Sequence, residues 1–296
     1  MSPSPWTGLT GAPLDDAGVL RYVAGMKLGM YVRTMGPQSA PATLLACARA
    51  AEDEGIDDVW VGDHVAIPPD DAEGSEGRYL DPLATLAMLA GVTRRIGLGT
   101  GVLVLPYRPA LATAKWIATI QELSGGRLLF GAGAGWMEAE FRAVGVPFQQ
   151  RGRITDETLA FLHRCFASDE VESNGQRFLF RPRPPRPPIF IGGAAPHALR
   201  RTVRFGDAWM PMGYDLDALG PQVAQLRTEM AAAGKAPPEI VVVTALAIDD
   251  RAKAADQMQR IAALGATRVV HGWRYADAAA FSAAARTLRA ALPPHR

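Results

Sequence analysis

Short apolar runs recur along the chain, each closing on glycine, proline or a polar residue and each followed by residues at helical spacing. The runs are KLGMYV from Lys27, DVWVGDH from Asp58, IGLGTGV from Ile96 and RLLFGAG from Arg127. Four more follow: PIFIGG from Pro188, DAWMPMG from Asp207, EIVVVTALAI from Glu239 and RVVHGW from Arg268. They lack the apolar/polar alternation of a half-exposed strand, the pattern of parallel strands covered on both faces. Helical patterns fill the intervals. PATLLACARAAEDEG, from Pro41, has Gly55 where a C-cap falls, and DPLATLAMLAGVT opens with Asp81 as N-cap and Pro82 at the first helical position. Eight strands alternating with helices predict an α/β fold, a (β/α)₈ TIM barrel.

Two segments interrupt this rhythm. Residues 65–79, containing AIPPDDAEGSEGR, are polar and rich in breakers and leave the carboxyl end of the second strand. Residues 171–188 read as a hairpin turning at Asn174-Gly175 and then a proline-rich link. Insertions on the carboxyl face of a barrel form lids or pocket walls. Residues 26–296 are expected to form one barrel domain. Residues 1–25, rich in proline and glycine, are expected to be a disordered arm or to precede the true start at Met26.

Composition narrows the function classes. With 296 residues, 48% hydrophobic and 21% charged, the chain has material for a sizeable core. A net charge of +1 excludes nucleic acid as a main partner, which needs a strong basic field. No apolar run reaches membrane-spanning length. Only Cys47 and Cys165 occur, without metal spacing, as in a cytoplasmic protein with buried thiols.

The stretch RLLFGAGAGWMEAEF resembles a dinucleotide fingerprint, but its glycines, Gly131, Gly133 and Gly135, are spaced G-x-G-x-G. Trp136 stands where a third fingerprint glycine belongs, and three strands precede this one, whereas the fingerprint follows the first strand of its unit. As a barrel strand end the same residues let the backbone approach a ligand, or else simply form a tight turn. Other strand ends carry the candidate chemistry. Asp63-His64 close the second strand, one residue directed into the mouth and the other toward a neighbouring loop. His64 is either a proton relay or a cap on that loop. Gly99, Thr100, Gly101 and Val102 at the third strand suit a flat ligand. Gly192, Gly193 and Ala194, ahead of a helix from Pro196, offer backbone amides to an anion. His271 ends the eighth strand, but without H-x-H spacing no metal site is expected.

In VWVGDH, IGLGTGVLVLPYRPA, ELSGGRLLFGAGAGWMEAEF, GVPFQQRGRITDE, RPPRPPIFIGGAAPHALRR and RFGDAWMP the sequence resembles the luciferase-like monooxygenase superfamily, especially its coenzyme F420-dependent oxidoreductases. The resemblance implies a barrel holding a deazaflavin (F420), or alternatively FMN, in its mouth. It implies that Asp63 contacts the ring, that His64 lies beside the reactive centre, and that Gly101-Val102 form a cis peptide backing the ring. It further implies that Gly192 and Gly193 wrap the cofactor phosphate and that the protein is a homodimer; the strand-end reading adds Thr100, Gly133, Gly135 and Ala194 to the cofactor's border. Sugar-phosphate dehydrogenases of the family carry an acidic residue where this chain has Trp136. A wall of Trp136, Met137, Trp209 and Met212 instead favours a small, rather hydrophobic organic substrate. The reaction so implied is hydride transfer, with His64 and Asp63 as the catalytic pair. The rivals are a reduced-FMN monooxygenase using O2 on the same barrel, a nicotinamide dehydrogenase, and a non-catalytic cofactor-binding barrel.

Overall fold

A computed structural model of the chain describes residues 25–213 and 216–291, so the expected arm lies, but for Gly25, outside the described residues. All eight apolar runs become strands. They are β1 (Lys27–Tyr31), β2 (Asp58–Val61), β3 (Gly97–Thr100) with its continuation β4 (Leu103–Val104), and β5 (Leu128–Gly133). After the hairpin β6 (Glu170–Ser173) and β7 (Gln176–Leu179) come β8 (Ile189–Gly192), β9 (Ala208–Met210), β10 (Glu239–Thr244) and β11 (Arg268–His271). The parallel pairings run β3-β2-β1-β11-β10-β9-β8-β5, and a β3–β5 pairing closes the ring. The chain is a (β/α)₈ barrel in which one barrel strand, β3–β4, is interrupted at Gly101-Val102, whose peptide bond is cis.

Nine helices are described: α1 (Pro41–Asp53), α2 (Pro82–Val92), α3 (Ala110–Leu123), α4 (Glu138–Ala143), α5 (Arg151–Ala167), α6 (His197–Phe205), α7 (Leu216–Ala232), α8 (Arg251–Ala263) and α9 (Ala278–Ala291). Local chemistry fixes their starts. The Asp81 carboxylate accepts from the Leu83 and Ala84 amides at 2.8 and 3.0 Å, capping α2 as its sequence predicts. The turn of the hairpin places Asn174 and Gly175 at φ 52° and 76°, the left-handed pair that a two-residue hairpin loop needs. No helix among the described residues is long and apolar enough to cross a membrane.

Alternation along each strand sorts side chains into two cores. Residues such as Leu28, Met30, Val59 and Val61 face the helices. Trp60, Phe190, Ala208, Met210, Val241, Val243 and Val270 fill the barrel, with Tyr31 and Val102 packed on them. Small residues on neighbouring strands make this filling possible. A β-carbon on Gly99 would come within 2.4 Å of the Trp60 indole, and one on Gly29 within 2.8 Å of its Nε1. Below Trp60 the floor is polar. Arg268, 2% exposed, pairs with buried Asp58 and reaches Glu239 at 3.0 Å, while its guanidinium lies 5.9 Å from the Trp60 ring. Burial lowers the Arg268 pKa to about 10, which leaves it charged at neutral pH. The filled lower barrel leaves only the carboxyl ends of the strands for a ligand.

Candidate active site

Continuing each inward-facing series upward gives the next layer almost without side chains. Gly62 follows Trp60, Gly101 follows Gly99, Gly133 follows Gly131, Gly192 follows Phe190 and Gly272 follows Val270. All five border a cavity of about 1200 Å³. The strand alternation also delivers Arg33 beyond Tyr31 and His64 beyond Gly62, and both line the same cavity.

The rim glycines serve the protein as well as any ligand. A β-carbon on Gly133 or Gly192 would stand 2.6 Å from a methyl of Val102. One on Gly131 would collide with the Thr100 carbonyl. The glycines therefore make room for Val102 and the cis linkage before it, and Val102 projects into the cavity as a short apolar platform. Tyr31 donates its hydroxyl to the Gly101 carbonyl at 3.1 Å, and the Gly101 amide donates to Val61 at 2.8 Å. Gly135, at φ 79°, also borders the cavity, with Val104 and Phe141 filling the space a side chain would need.

The Asp63-His64 pair splits as alternation requires. His64 turns into the mouth, its ring 5.0 Å from Tyr79 and 6.2 Å from Trp136. Asp63 turns away. Its enclosed carboxylate accepts two hydrogen bonds from Arg108 at 2.7 and 2.8 Å and one from the Val104 amide at 2.8 Å. The expected ring contact of Asp63 is therefore narrowed: the residue borders the cavity, but its carboxylate is spent on Arg108 and Val104 and has no exposed surface. Arg108 also reaches Asp81 at 2.7 Å, and these two carboxylates outweigh the burial that works against its charge.

Glu140, not singled out by sequence, organises His64. It is 1% exposed, and its Oε2 accepts from His64 Nδ1 at 2.9 Å and from the Tyr107 hydroxyl at 2.9 Å. Its Oε1 accepts from the Val65 and Ala66 amides at 2.6 and 3.0 Å. Burial alone would raise its pKa, but the bonds from His64, Ala66 and Val65 outweigh that and hold it at about 2. An ionised Glu140 only accepts, so Nδ1 of His64 carries a proton and donates it. Nε2 makes no hydrogen bond within the described residues and is the nitrogen left for a ligand.

Three expected side chains lie elsewhere, and one expected amide is already used. Trp209 is fully buried in the helix-facing core, because Ala208 and Met210 on either side of it take the inward positions. Its indole donates to the Gly193 carbonyl at 2.9 Å and thus holds that loop from behind. Thr100 is likewise outward and buried, donating to the Gly131 carbonyl at 2.7 Å. Met137 is 8% exposed beneath the start of α4, outside the cavity wall. The Gly193 amide is spent on the Met210 carbonyl at 3.2 Å, so an anion cradle must begin at Ala194. Trp136 and Met212 do line the cavity, as do Gly192, Gly193 and Ala194.

His271 is buried, with Nδ1 accepting from the Leu246 amide at 3.0 Å and its ring 4.3 Å from that of Trp273. Burial lowers its pKa to about 4, so it is neutral. Among the described residues no three His, Cys, Asp or Glu side chains gather as a metal site.

Comparison with known proteins adds an independent line. The family profile described as luciferase-like monooxygenase matches residues 25–293. An uncharacterized protein of Mycobacterium tuberculosis is 31% identical over 278 residues, covering 86% of this chain and 95% of that protein. A 5,10-methylenetetrahydromethanopterin reductase of Methanolobus tindarius is 31% identical over 73% of this chain and 65% of its own. An FMNH2-dependent dimethylsulfone monooxygenase of Pseudomonas putida is 29% identical over 68% and 58%. Among solved structures, an F420-dependent secondary alcohol dehydrogenase in complex with an F420-acetone adduct superposes with a TM-score of 0.73. It is 18% identical and covers 92% of this chain and 99% of that one, a likeness of fold.

Proposed function

The chain belongs to the luciferase-like monooxygenase family, and from that premise we propose that it is an oxidoreductase that transfers a hydride between deazaflavin coenzyme F420 and a small organic substrate. The observation that carries this reading is the held imidazole of His64 beside a side-chain-free rim. A planar ring fits over Val102 between Gly101, Gly133 and Gly192, where any larger residue would intrude. The amides from Ala194 onward, with His197 and Arg201 on the same wall, suit its phosphate. When bound, the deazaflavin supplies a two-electron hydride chemistry that no side chain provides.

The chain's own residues supply the rest. Hydride transfer to or from an alcohol, ketone or activated double bond moves a proton as well, and a group within reach must take or give it. His64 Nε2 is that group. Glu140 fixes the tautomer and stabilises the imidazolium form, and Tyr107 holds Glu140. Trp136, Tyr79 and Met212 would offer the substrate an apolar wall.

A reduced-FMN monooxygenase remains the second reading, favoured by the Pseudomonas putida relative. Titration with F420 and with FMN, followed by quenching of indole fluorescence, separates the two. Tighter binding of F420 and anaerobic turnover of the bound cofactor are expected. Binding of FMN alone, with oxygen consumed in step with substrate, sinks the hydride-transfer reading.

A further inference from the structure

Arg33 and Arg274 border the cavity without holding His64 or the rim. Arg33 follows β1, and Arg274 follows β11, the strand paired to β1. The Nε of Arg33 is shielded from solvent and has no hydrogen-bond partner. The residue is anchored through its backbone, whose amide donates to the Tyr275 hydroxyl at 2.9 Å. Burial lowers the pKa of its guanidinium, and the like charge of Arg274 adds to this.

Neither arginine forms an ion pair among the described residues, whereas Arg201 on the same cavity does, and Arg151, also without an ion pair, lies 3.8 Å over the Phe148 ring. Arg108 has Asp63 and Asp81, and Arg201 has Asp156 at 2.6 Å. The carboxylates nearest the mouth are already engaged, Asp63 by Arg108 and Glu140 by His64, Tyr107 and two amides. The acidic residues of the insertion, Asp70, Asp71, Glu73 and Glu76, are exposed and pair with neither. Instead the insertion brings a glycine: a β-carbon on Gly74 would lie 3.2 Å from Nη1 of Arg274. Arg274 is exposed, but Arg33 keeps a desolvated donor unused beside that like charge, which is costly unless a ligand completes it.

We propose that Arg33 and Arg274 receive a carboxylate, or an equivalent oxyanion, carried by the organic substrate. Along the ring of strands β1 stands opposite β8, four places away in either direction. The arginines therefore face the Ala194 loop across the mouth, and this assignment rests on the reading that the cofactor phosphate occupies that loop. The substrate is then amphipathic: an apolar or aromatic body between Trp136, Tyr79, Trp273 and Met212, with an anionic end at Arg33. A planar guanidinium fork suits a carboxylate better than an ammonium would.

The test uses the full-length protein, with and without F420, and titrates matched pairs of small acids and their neutral amides by calorimetry. Benzoate and benzamide, phenylacetate and phenylacetamide, and octanoate and octanamide are the probes. At least one acid should bind tenfold or more tightly than its amide. R33Q and R274Q should each remove that preference while leaving amide binding and F420 affinity within twofold. Both should fold, since neither guanidinium makes a hydrogen bond among the described residues, and circular dichroism checks this. If no acid outbinds its amide, or if R33Q keeps the preference, the proposal is overturned. If R33Q loses F420 affinity instead, the arginines serve an acidic tail of the cofactor and the proposal again falls. Failure of F420 to bind wild-type protein, with the acid preference intact, overturns the cofactor reading and leaves the anion site standing.

Discussion

Glu140 and Val102 show how much of the site depends on single side chains that meet segments far from them in the chain. Glu140 has a folded pKa of about 2 against 4.5 for a free glutamate, so its charge is stabilised by folding. A depressed carboxylate pKa contributes stability above the unfolded value, and that contribution is lost as pH falls from about 4.5 toward 2. E140Q should therefore cost on the order of 2 kcal/mol at pH 7 and progressively less in acid. Urea unfolding of both proteins from pH 7 down to pH 3 reads this, and a pH-independent difference would refute it. If His64 is the proton relay, E140Q should also lower turnover by about tenfold to a hundredfold and shift the pH–rate profile. A second prediction concerns volume. G133A places a methyl against Val102 and should destabilise by about 1–3 kcal/mol. V102A should relieve it, so the double variant should be more stable than additivity predicts; strict additivity in denaturant unfolding would show that the two do not touch. The role of Glu140 was not legible in the sequence, whereas the cis bond before Val102 was expected from the family resemblance and is present. Glu140 meets His64 across 76 positions, and the glycines read as room for a ligand because their nearest neighbour, Val102, lies on another strand.

Elements were more legible than contacts. The Asn174-Gly175 turn, the Asp81 cap and every barrel strand follow from local chemistry that operates within a few residues. Which side of a strand a residue occupies is equally local, and Trp209 was misplaced because DAWMPMG reads as uniformly apolar. The junction of three elements is not local. Arg108, after β4, ties Asp63 at the end of β2 to Asp81 at the start of α2. D63N removes the enclosed partner of this guanidinium and should cost about 3 kcal/mol, within the range for breaking a buried pair. It should do so without changing the discrimination between F420 and FMN, because the carboxylate has no exposed surface to offer a ligand. Chemical denaturation and cofactor titration on the same variant check both halves. A D63N protein of wild-type stability with altered cofactor choice would restore Asp63 to the ring.

At the scale of the whole molecule the alternation of strand and helix dictated closure, since eight doubly covered parallel strands have few other solutions. The position of the cavity followed from closure, and its chemistry only from the loops above it. Cofactor binding should stabilise the entire barrel, because the rim draws on β2, β3, β5, β8 and β11 together. At a hundredfold excess over Kd the gain is about 2.7 kcal/mol, visible as a raised unfolding midpoint with the correct cofactor and not with the wrong one. Equal shifts with F420 and FMN would mean that the rim does not discriminate.

The polar floor at Arg268, Asp58 and Glu239 has a kinetic corollary. A tube stoppered at its base has one doorway, so two guests that share it must queue. The guest seated on the glycine layer arrives first and departs last, and the anionic one waits its turn above. Steady-state kinetics should then show compulsory order: a dead-end mimic of the second guest inhibits uncompetitively against the first, whereas a mixed pattern would reveal a back entrance.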